Sequence, residues 1–327
     1  MIVEIAMGLL GLYLILKGSE WITDAAVPLA TYLNTTYIAV GLVLVSVLLS
    51  LPELLVSASS LIKGQSDISI GVVIGSIIVN LGLIIGLSAI LRPLKIPRHV
   101  ITRDAVFMLV ATIVVALIVL DDLRVTGQDG LVFMLLFIPY LINIYEQEKQ
   151  LAVKEKKKES EMITRTLSFI GKIGGAEVVI KDSRLVFVFG IAILLIGAEL
   201  FTGSMIGLAA ALGVPGILVG LTIGALGPSI PNLAAALQAI RKGYDELAVS
   251  ETIGSNIFTL LVTMGMIAIV HPFTLDAATA QITIPALLII TGAFFVFAFT
   301  GTISRLMGAV LLVMYILTLV GEIVFRG

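Results

Sequence analysis

Apolar runs of about 18 or more residues, the length that crosses the hydrocarbon of a bilayer, recur along the whole chain. In lipid a backbone can satisfy its own hydrogen bonds only as helices or closed barrels. Runs of this length leave the helical solution. They are expected near residues 2–29, 36–62, 68–91, 104–121, 129–146, 184–212, 215–241, 246–270, 280–299 and 303–325. Mean hydropathy is +1.15, and 13% of the 327 residues are charged, against about a quarter in soluble domains. The expected fold is therefore an all-α integral membrane protein of ten transmembrane helices. The first run, starting at Met1, lacks a basic leader and a small-residue cleavage site and reads as a retained span.

The break in this pattern lies at 147–183, which holds Lys154, Glu155, Lys156, Lys157, Lys158, Glu159 and Glu161 and reads as a solvated linker. It separates a first unit, 1–146, from a second, 184–327. Basic residues orient the chain by their excess on the cytoplasmic side. With both termini outside, 16 basic residues fall on inner connections and 3 (Lys63, Arg124 and Arg326) on outer ones, with Lys17 inside a span. The expected location is the cell (inner or plasma) membrane, with the linker cytoplasmic.

The two units share one register at an offset of 179 residues. Gly18 matches Gly197, Glu20 matches Glu199, Ser50 matches Ser229 and Pro52 matches Pro231. Gly75-Ser76 matches Gly254-Ser255, Gly86 matches Gly265 and Pro93 matches Pro272. Five spans per unit is an odd number, so the second copy enters the bilayer from the opposite side. Inverted repeats of this kind are typical of transporters and place the substrate site between the halves. They also occur in some channels.

Polar residues concentrate in the second and third spans of each unit. The first unit has Ser50-Leu51-Pro52-Glu53 and Gly75-Ser76-Ile77-Ile78-Val79-Asn80. The second has Pro228-Ser229-Ile230-Pro231-Asn232 and Gly254-Ser255-Asn256-Ile257-Phe258-Thr259. Proline within a span frees a carbonyl from the helix ladder. Carbonyls, hydroxyls and a carboxylate in one turn suit a hard cation, which takes oxygen ligands. Ser76 and Asn80 share a helix face by their spacing, as do Ser255 and Thr259. Two broken helices crossing two polar-striped ones are expected to form an oxygen cage near mid-bilayer.

These motifs resemble the alpha repeats of the calcium/cation antiporter superfamily, whose best-known branch is the sodium/calcium exchangers. The family pattern is roughly G-[ST]-S-x-P-E, followed by G-S-x-x-x-N or G-S-N-x-x-D. It falls here on Gly41 through Ser57 with Gly75 through Gly86, and on Gly220 through Ala236 with Gly254 through Gly265. The resemblance implies Glu53 and Asn80 as metal ligands. It implies Ser50, Ser76, Ser229 and Ser255 as supporting oxygens, with Asn232 and Thr259 at the remaining positions. It also implies alternating access, with the first and sixth spans, which carry Gly18 and Gly197, sliding on the rest. The chain departs from the pattern where Asn232 replaces a glutamate and Thr259 an acid or amide. Leu49 and Pro228 replace threonines, and Val72 stands where the family usually has Asn.

One motif carboxylate leaves a divalent ion with a net charge, which is costly in the membrane interior. Glu251, four residues before Ser255, is a candidate for an additional carboxylate. The alternative is a helix N-terminal acid favoured by the dipole. The expected function is secondary antiport of Ca²⁺ or a related cation against Na⁺. Cation/proton exchange at Glu53 is the alternative, as is a non-exchanging channel or membrane subunit with a degenerate second half-site. Expected partners are the lipid bilayer and small inorganic cations. No resident cofactor is expected beyond transported Ca²⁺, Na⁺ or H⁺. No basic face suggests nucleic acid, and no nucleotide loop, His pair or nucleophile motif suggests an enzyme. His99 and His271 are expected in connections, and Cys is absent. Lys17 is expected to pair with Glu20. Asp24 and Glu322 are expected near the outer interface, and Asp121, Asp122, Asp129 and Asp276 as solvated loop acids.

Overall fold

The computed structural model describes residues 2–32, 39–150, 183–241 and 243–326. The segment 151–182, most of the expected linker, lies outside the described residues, as do the side chains of 22–45, Asp24 among them. The helices are α1 (Ile2–Tyr32), α2 (Ala39–Ile62), α3 (Ser66–Leu91), α4 (Arg98–Asp122), α5 (Gly127–Gln150) and α6 (Ser183–Leu212). There follow α7 (Gly216–Val219), α8 (Ile230–Arg241), α9 (Asp245–Val270), α10 (Thr279–Phe299) and α11 (Arg305–Arg326). Among the described residues, 8 helices are long and apolar enough to cross a membrane. Large apolar side chains face outward along them, including Leu117, Leu317 and Phe325 at 62–74% exposure. A soluble surface would not tolerate so much contiguous apolar area; lipid supplies the solvent here. The chain is a multi-pass integral membrane protein.

Several expectations on element boundaries are corrected. The run 215–241 is a broken helix, as its prolines imply, with these bounds. It ends α7 in a π-helical turn (Gly220–Gly224), breaks at Gly227-Pro228-Ser229 and restarts as α8. By contrast α2 stays helical through Pro52, because only the carbonyl one turn earlier loses its donor. Thus one expected broken helix is broken and the other is not. Helix α4 begins at Arg98, not near 104, so His99 lies in its first turn, with Nε2 2.7 Å from Glu246. Helix α5 continues to Gln150, past the expected end at 146.

Four two-residue strands tie the connections together. β1 (Leu94–Lys95) pairs antiparallel with β4 (Thr302–Ile303), and β2 (Arg124–Val125) with β3 (Phe273–Thr274). Each ribbon joins a connection of the first unit to one of the second. They put the α3–α4 and α10–α11 connections on one face, and the α4–α5 and α9–α10 connections on the other.

Helices α1 and α6 pack against each other along most of their length. A Cβ on Gly18 would lie 2.6 Å from the Leu194 nitrogen, and one on Gly197 would lie 2.7 Å from the Ile15 nitrogen. Backbone therefore meets backbone, which only glycine permits. The main core is formed by α3, α4, α9 and α10, with Ile74, Ile77, Leu81, Ile84, Leu260 and Phe294 fully or almost fully buried. A smaller cluster joins α1, α2 and α6 through Ile15, Val56, Leu194 and Phe201.

Candidate functional site

Helix α2 presents Ser46, Ser50, Glu53 and Ser57 at spacings of four, three and four, so they form one stripe. All four are buried, and Glu53 is 0% exposed. Across from the stripe, the Gly227-Pro228-Ser229 turn starts α8 and aims its first residues back at Glu53. Ser229 Oγ donates to Glu53 Oε1 at 3.0 Å, and Asn232 Nδ2 donates to the same oxygen at 3.2 Å. Asn232 Nδ2 also reaches Ser255 Oγ on α9 at 3.2 Å. Ser255 Oγ lies 2.6 Å from Ser50 Oγ, and Ser50 donates to the Ser46 carbonyl at 2.7 Å. Glu53, Ser50, Ser229, Asn232 and Ser255 thus form one network drawn from α2, α8 and α9.

The other expected residues are buried nearby in chain terms but bonded differently. Asn80 donates from Nδ2 to Asn256 Oδ1 at 2.8 Å, joining α3 to α9. Ser76 donates to the Val72 carbonyl of its own helix at 2.7 Å. Asn80 lies in a π-helical stretch (Val79–Ile85) and Thr259 opens another (Thr259–Thr263). Such widened turns concentrate at functional positions. Four buried oxygens of the motif residues have no hydrogen-bond partner among the described residues: Glu53 Oε2, Asn80 Oδ1, Asn232 Oδ1 and Thr259 Oγ1. A buried polar atom left unpaired is costly. Oxygens from α2, α3, α8 and α9, one of them a carboxylate, are the donor set a hard cation takes. Among the described residues there is no cluster of three or more His, Cys, Asp or Glu suited to a metal. Any cation here must therefore be held by carboxylate, amide, hydroxyl and carbonyl oxygens together.

Beside this network lies a buried cluster the sequence did not suggest. Arg103 contacts Asp104 through two bonds of 2.7 and 2.9 Å. Ser250 Oγ donates to Asp104 at 2.8 Å, and Tyr140 donates to it at 3.3 Å. Asn256 was also missed, although it stands in the quoted Gly-Ser-Asn motif; the motif itself was the available signal.

Other ionisable groups are structural in their contacts. Lys17 pairs with Glu20 at 3.0 Å, as expected. Glu199 bonds Ser59 on α2 and Lys63 in the turn just after it, at 2.6 Å each. Glu322 is not at an open interface: it is buried against Arg326 and Thr283. Asp122 and Asp129 cap the backbone amides of Arg124 and Thr126. Asp276 caps Thr279 and pairs with Arg326. These contacts with Thr279 and Arg326 outweigh its partial burial and hold its carboxyl below the usual carboxylate range.

The family model described as sodium/calcium exchanger protein matches residues 3–145 and 183–324 of the chain. The sodium/calcium exchanger MaX1 of Methanosarcina acetivorans is 31% identical over 339 residues, covering 95% of this chain and 96% of that protein. The putative antiporter CaxA of Alkalimonas amylolytica is 30% identical over 283 residues, covering 86% and 85%. Among solved structures, the sodium-calcium exchanger NCX_Mj soaked with Na⁺ and without Ca²⁺ superposes with a TM-score of 0.67. It is 27% identical and covers 98% of each chain.

Proposed function

This chain belongs to the sodium/calcium exchanger protein family, whose members are transporters and not enzymes, and from that premise we propose that it exchanges Ca²⁺, or a related divalent cation, against Na⁺. Cation antiport is what the family and its structural relatives support. The choice of ions is our reading of the site. One observation carries it. Glu53 is wholly enclosed, receives two donors from the other half of the chain, and keeps Oε2 without a partner among the described residues. A buried carboxylate in that condition needs a cation or a proton. The surrounding serines and asparagines supply neutral oxygens at the positions the family motif assigns to ligands. Glu53 and Asn80 serve as metal ligands in this reading, with Ser50, Ser76, Ser229, Asn232, Ser255 and Thr259 completing the sites.

The architecture in this reading is ten spans, with α7 and α8 forming one broken span, arranged as two inverted five-helix units, 1–146 and 184–327. Support comes from the two ribbons: shifting β1 forward and β4 back by about 179 residues turns the β1–β4 pair into the β3–β2 pair. Both termini lie outside the cell membrane and the 147–183 linker lies in the cytoplasm, by the excess of basic residues on that face. For alternating access, α1 and α6, in close contact at Gly18 and Gly197, slide together on the rest of the bundle.

The replacement of a family carboxylate by Asn232 favours a second reading, in which Glu53 alternates between a cation and a proton. Proteoliposomes loaded with Na⁺, or with an acidic lumen, and diluted into Ca²⁺ separate the two. Calcium uptake driven by the Na⁺ gradient, and abolished by Glu53→Gln, is the expected result. Uptake driven by the pH gradient alone transfers the function to proton exchange. Equal uptake without any counter-gradient identifies a channel.

A further inference from the structure

Helices α2 and α9 face each other in matched steps of four residues. Ser50 Oγ meets Ser255 Oγ at 2.6 Å, and one turn earlier on both helices Ser46 Oγ donates to the Glu251 carbonyl at 3.4 Å. Glu251 is 3% exposed, and neither of its carboxylate oxygens has a hydrogen-bond partner among the described residues. Glu251 lies one helical turn before Ser255 on α9, on the same face. The Glu251 and Glu53 carboxylates remain within electrostatic reach of each other. The repeat counterpart of Glu251 is Val72, so no symmetry requirement places an acid there.

Polar groups of this region are engaged with Asp104. Arg103 of α4 is held by both oxygens of Asp104. Ser250 turns its hydroxyl to Asp104, as does Tyr140 of α5. Ser46 spends its proton on the Glu251 carbonyl, which leaves the lone pairs of its oxygen to accept or coordinate. A small cavity lined by Ser46, Phe137, Tyr140, Gly254 and Phe258 adjoins this level.

Building on the exchange reading, we propose that Glu251 and Ser46 form a second cation subsite, separate from the Glu53 network, that takes one monovalent hard cation such as Na⁺. A single carboxylate balances a single positive charge, and the hydroxyl and nearby carbonyls complete an oxygen shell. The ladder Ser46, Ser50 and Ser255 then links this subsite to Glu53 as stepping stones for a cation moving between them.

The test is Na⁺-dependent thermal stabilisation of the purified full-length protein in detergent, with choline chloride holding ionic strength constant. It needs no transport. The wild type is expected to be stabilised by Na⁺. Glu251→Gln is expected to raise the half-saturating Na⁺ concentration at least tenfold, with stability in choline unchanged or higher, because a buried unpaired carboxylate has been removed. Glu251→Asp, which keeps the charge, is expected to retain a weaker Na⁺ response. An identical Na⁺ response in wild type and Glu251→Gln overturns the subsite, as does loss of stability in choline alone, which marks a structural acid. Glu53→Gln is the control: if it leaves Ca²⁺ binding intact, the exchange reading fails independently of Glu251.

Discussion

Glu53 and Asn232 are repeat counterparts 179 residues apart, and they touch: the Asn232 amide donates to the Glu53 carboxylate at 3.2 Å. In the proposed inverted-repeat arrangement, the axis relating the two halves passes between this pair. The site is therefore the point at which symmetry ends, because one partner carries a charge and the other an amide. The amide donor satisfies one carboxylate oxygen and leaves the other open, so a single face of Glu53 remains for a guest.

Restoring the missing charge should strengthen divalent binding. In Asn232→Glu a second carboxylate replaces the donor beside Glu53. Two unit charges about 4 Å apart interact by roughly 4 kcal/mol at an effective dielectric of 20, so the empty variant carries a repulsion that only a cation relieves. Calcium affinity is expected to rise at least tenfold, about 1.4 kcal/mol. Melting temperature without Ca²⁺ is expected to fall below wild type. Calorimetric titration and thermal melts with and without Ca²⁺ measure both. An unchanged calcium affinity would remove position 232 from the site.

Glu53→Gln keeps shape and hydrogen-bonding capacity and deletes the charge. Removing a buried carboxylate that lacks a full set of partners is expected to leave the fold at least as stable. Transport and calcium binding should both fall by two orders of magnitude or more. A variant that melts like the wild type and still transports Ca²⁺ would refute the central role of Glu53.

Much of this site was legible in the sequence because its residues are chemically conspicuous. Serine, proline and a carboxylate inside apolar runs need a reason, and the 179-residue register paired them. What escaped has a physical cause in each case. Proline signalled a break in both repeats, and it occurs at Gly227-Pro228-Ser229 but not at Pro52, where a single proline without a neighbouring Gly-Pro leaves α2 continuous. Asn256 lies one residue off the Ser255–Thr259 face in a regular helix, yet it is the one that bonds Asn80. That pairing depends on how α3 lies against α9, which no helical period encodes. Arg103 and Asp104 counted as residues at a span's edge; α4 starts earlier, so they are buried and neutralise each other.

The contact between α1 and α6 should tolerate no added methyl. A Cβ on Gly18 would sit 2.6 Å from a backbone nitrogen of Leu194, closer than any ordinary van der Waals contact. Gly18→Ala is expected to push the helices apart and cost about 1–3 kcal/mol, the usual range for overpacking. Gly197→Ala should behave alike, since its Cβ would lie 2.7 Å from the Ile15 nitrogen. If α1 and α6 slide together on the rest during transport, loosening the pair should lower turnover more than calcium affinity. Equal transport rates in both variants and the wild type would show that this contact does not govern the movement.

The α9–α10 connection gives a prediction on pH. Asp276 accepts from the amide and hydroxyl of Thr279 and pairs with Arg326 at the end of α11. Burial alone would raise its carboxyl, but these donors outweigh it, and the group titrates below its ordinary value of 3.8. A carboxylate with a lowered folded-state pKa binds fewer protons folded than unfolded, so stability rises with pH through that window. The contribution is present above the unfolded-state value and disappears as pH falls through the lowered one. Acid unfolding monitored between neutral pH and about pH 2 should therefore begin at higher pH in Asp276→Asn, which cannot carry the charge, while near neutrality both proteins differ by the lost ion pair. Its Arg326 partner is also held by Glu322 and Thr283, so Asp276→Asn should leave α11 docked, and calcium transport at neutral pH should stay within about twofold of wild type, an approximately 0.4 kcal/mol margin. Coincident acid-unfolding curves for the two proteins would show that the Asp276–Arg326 contact adds nothing to the folded state.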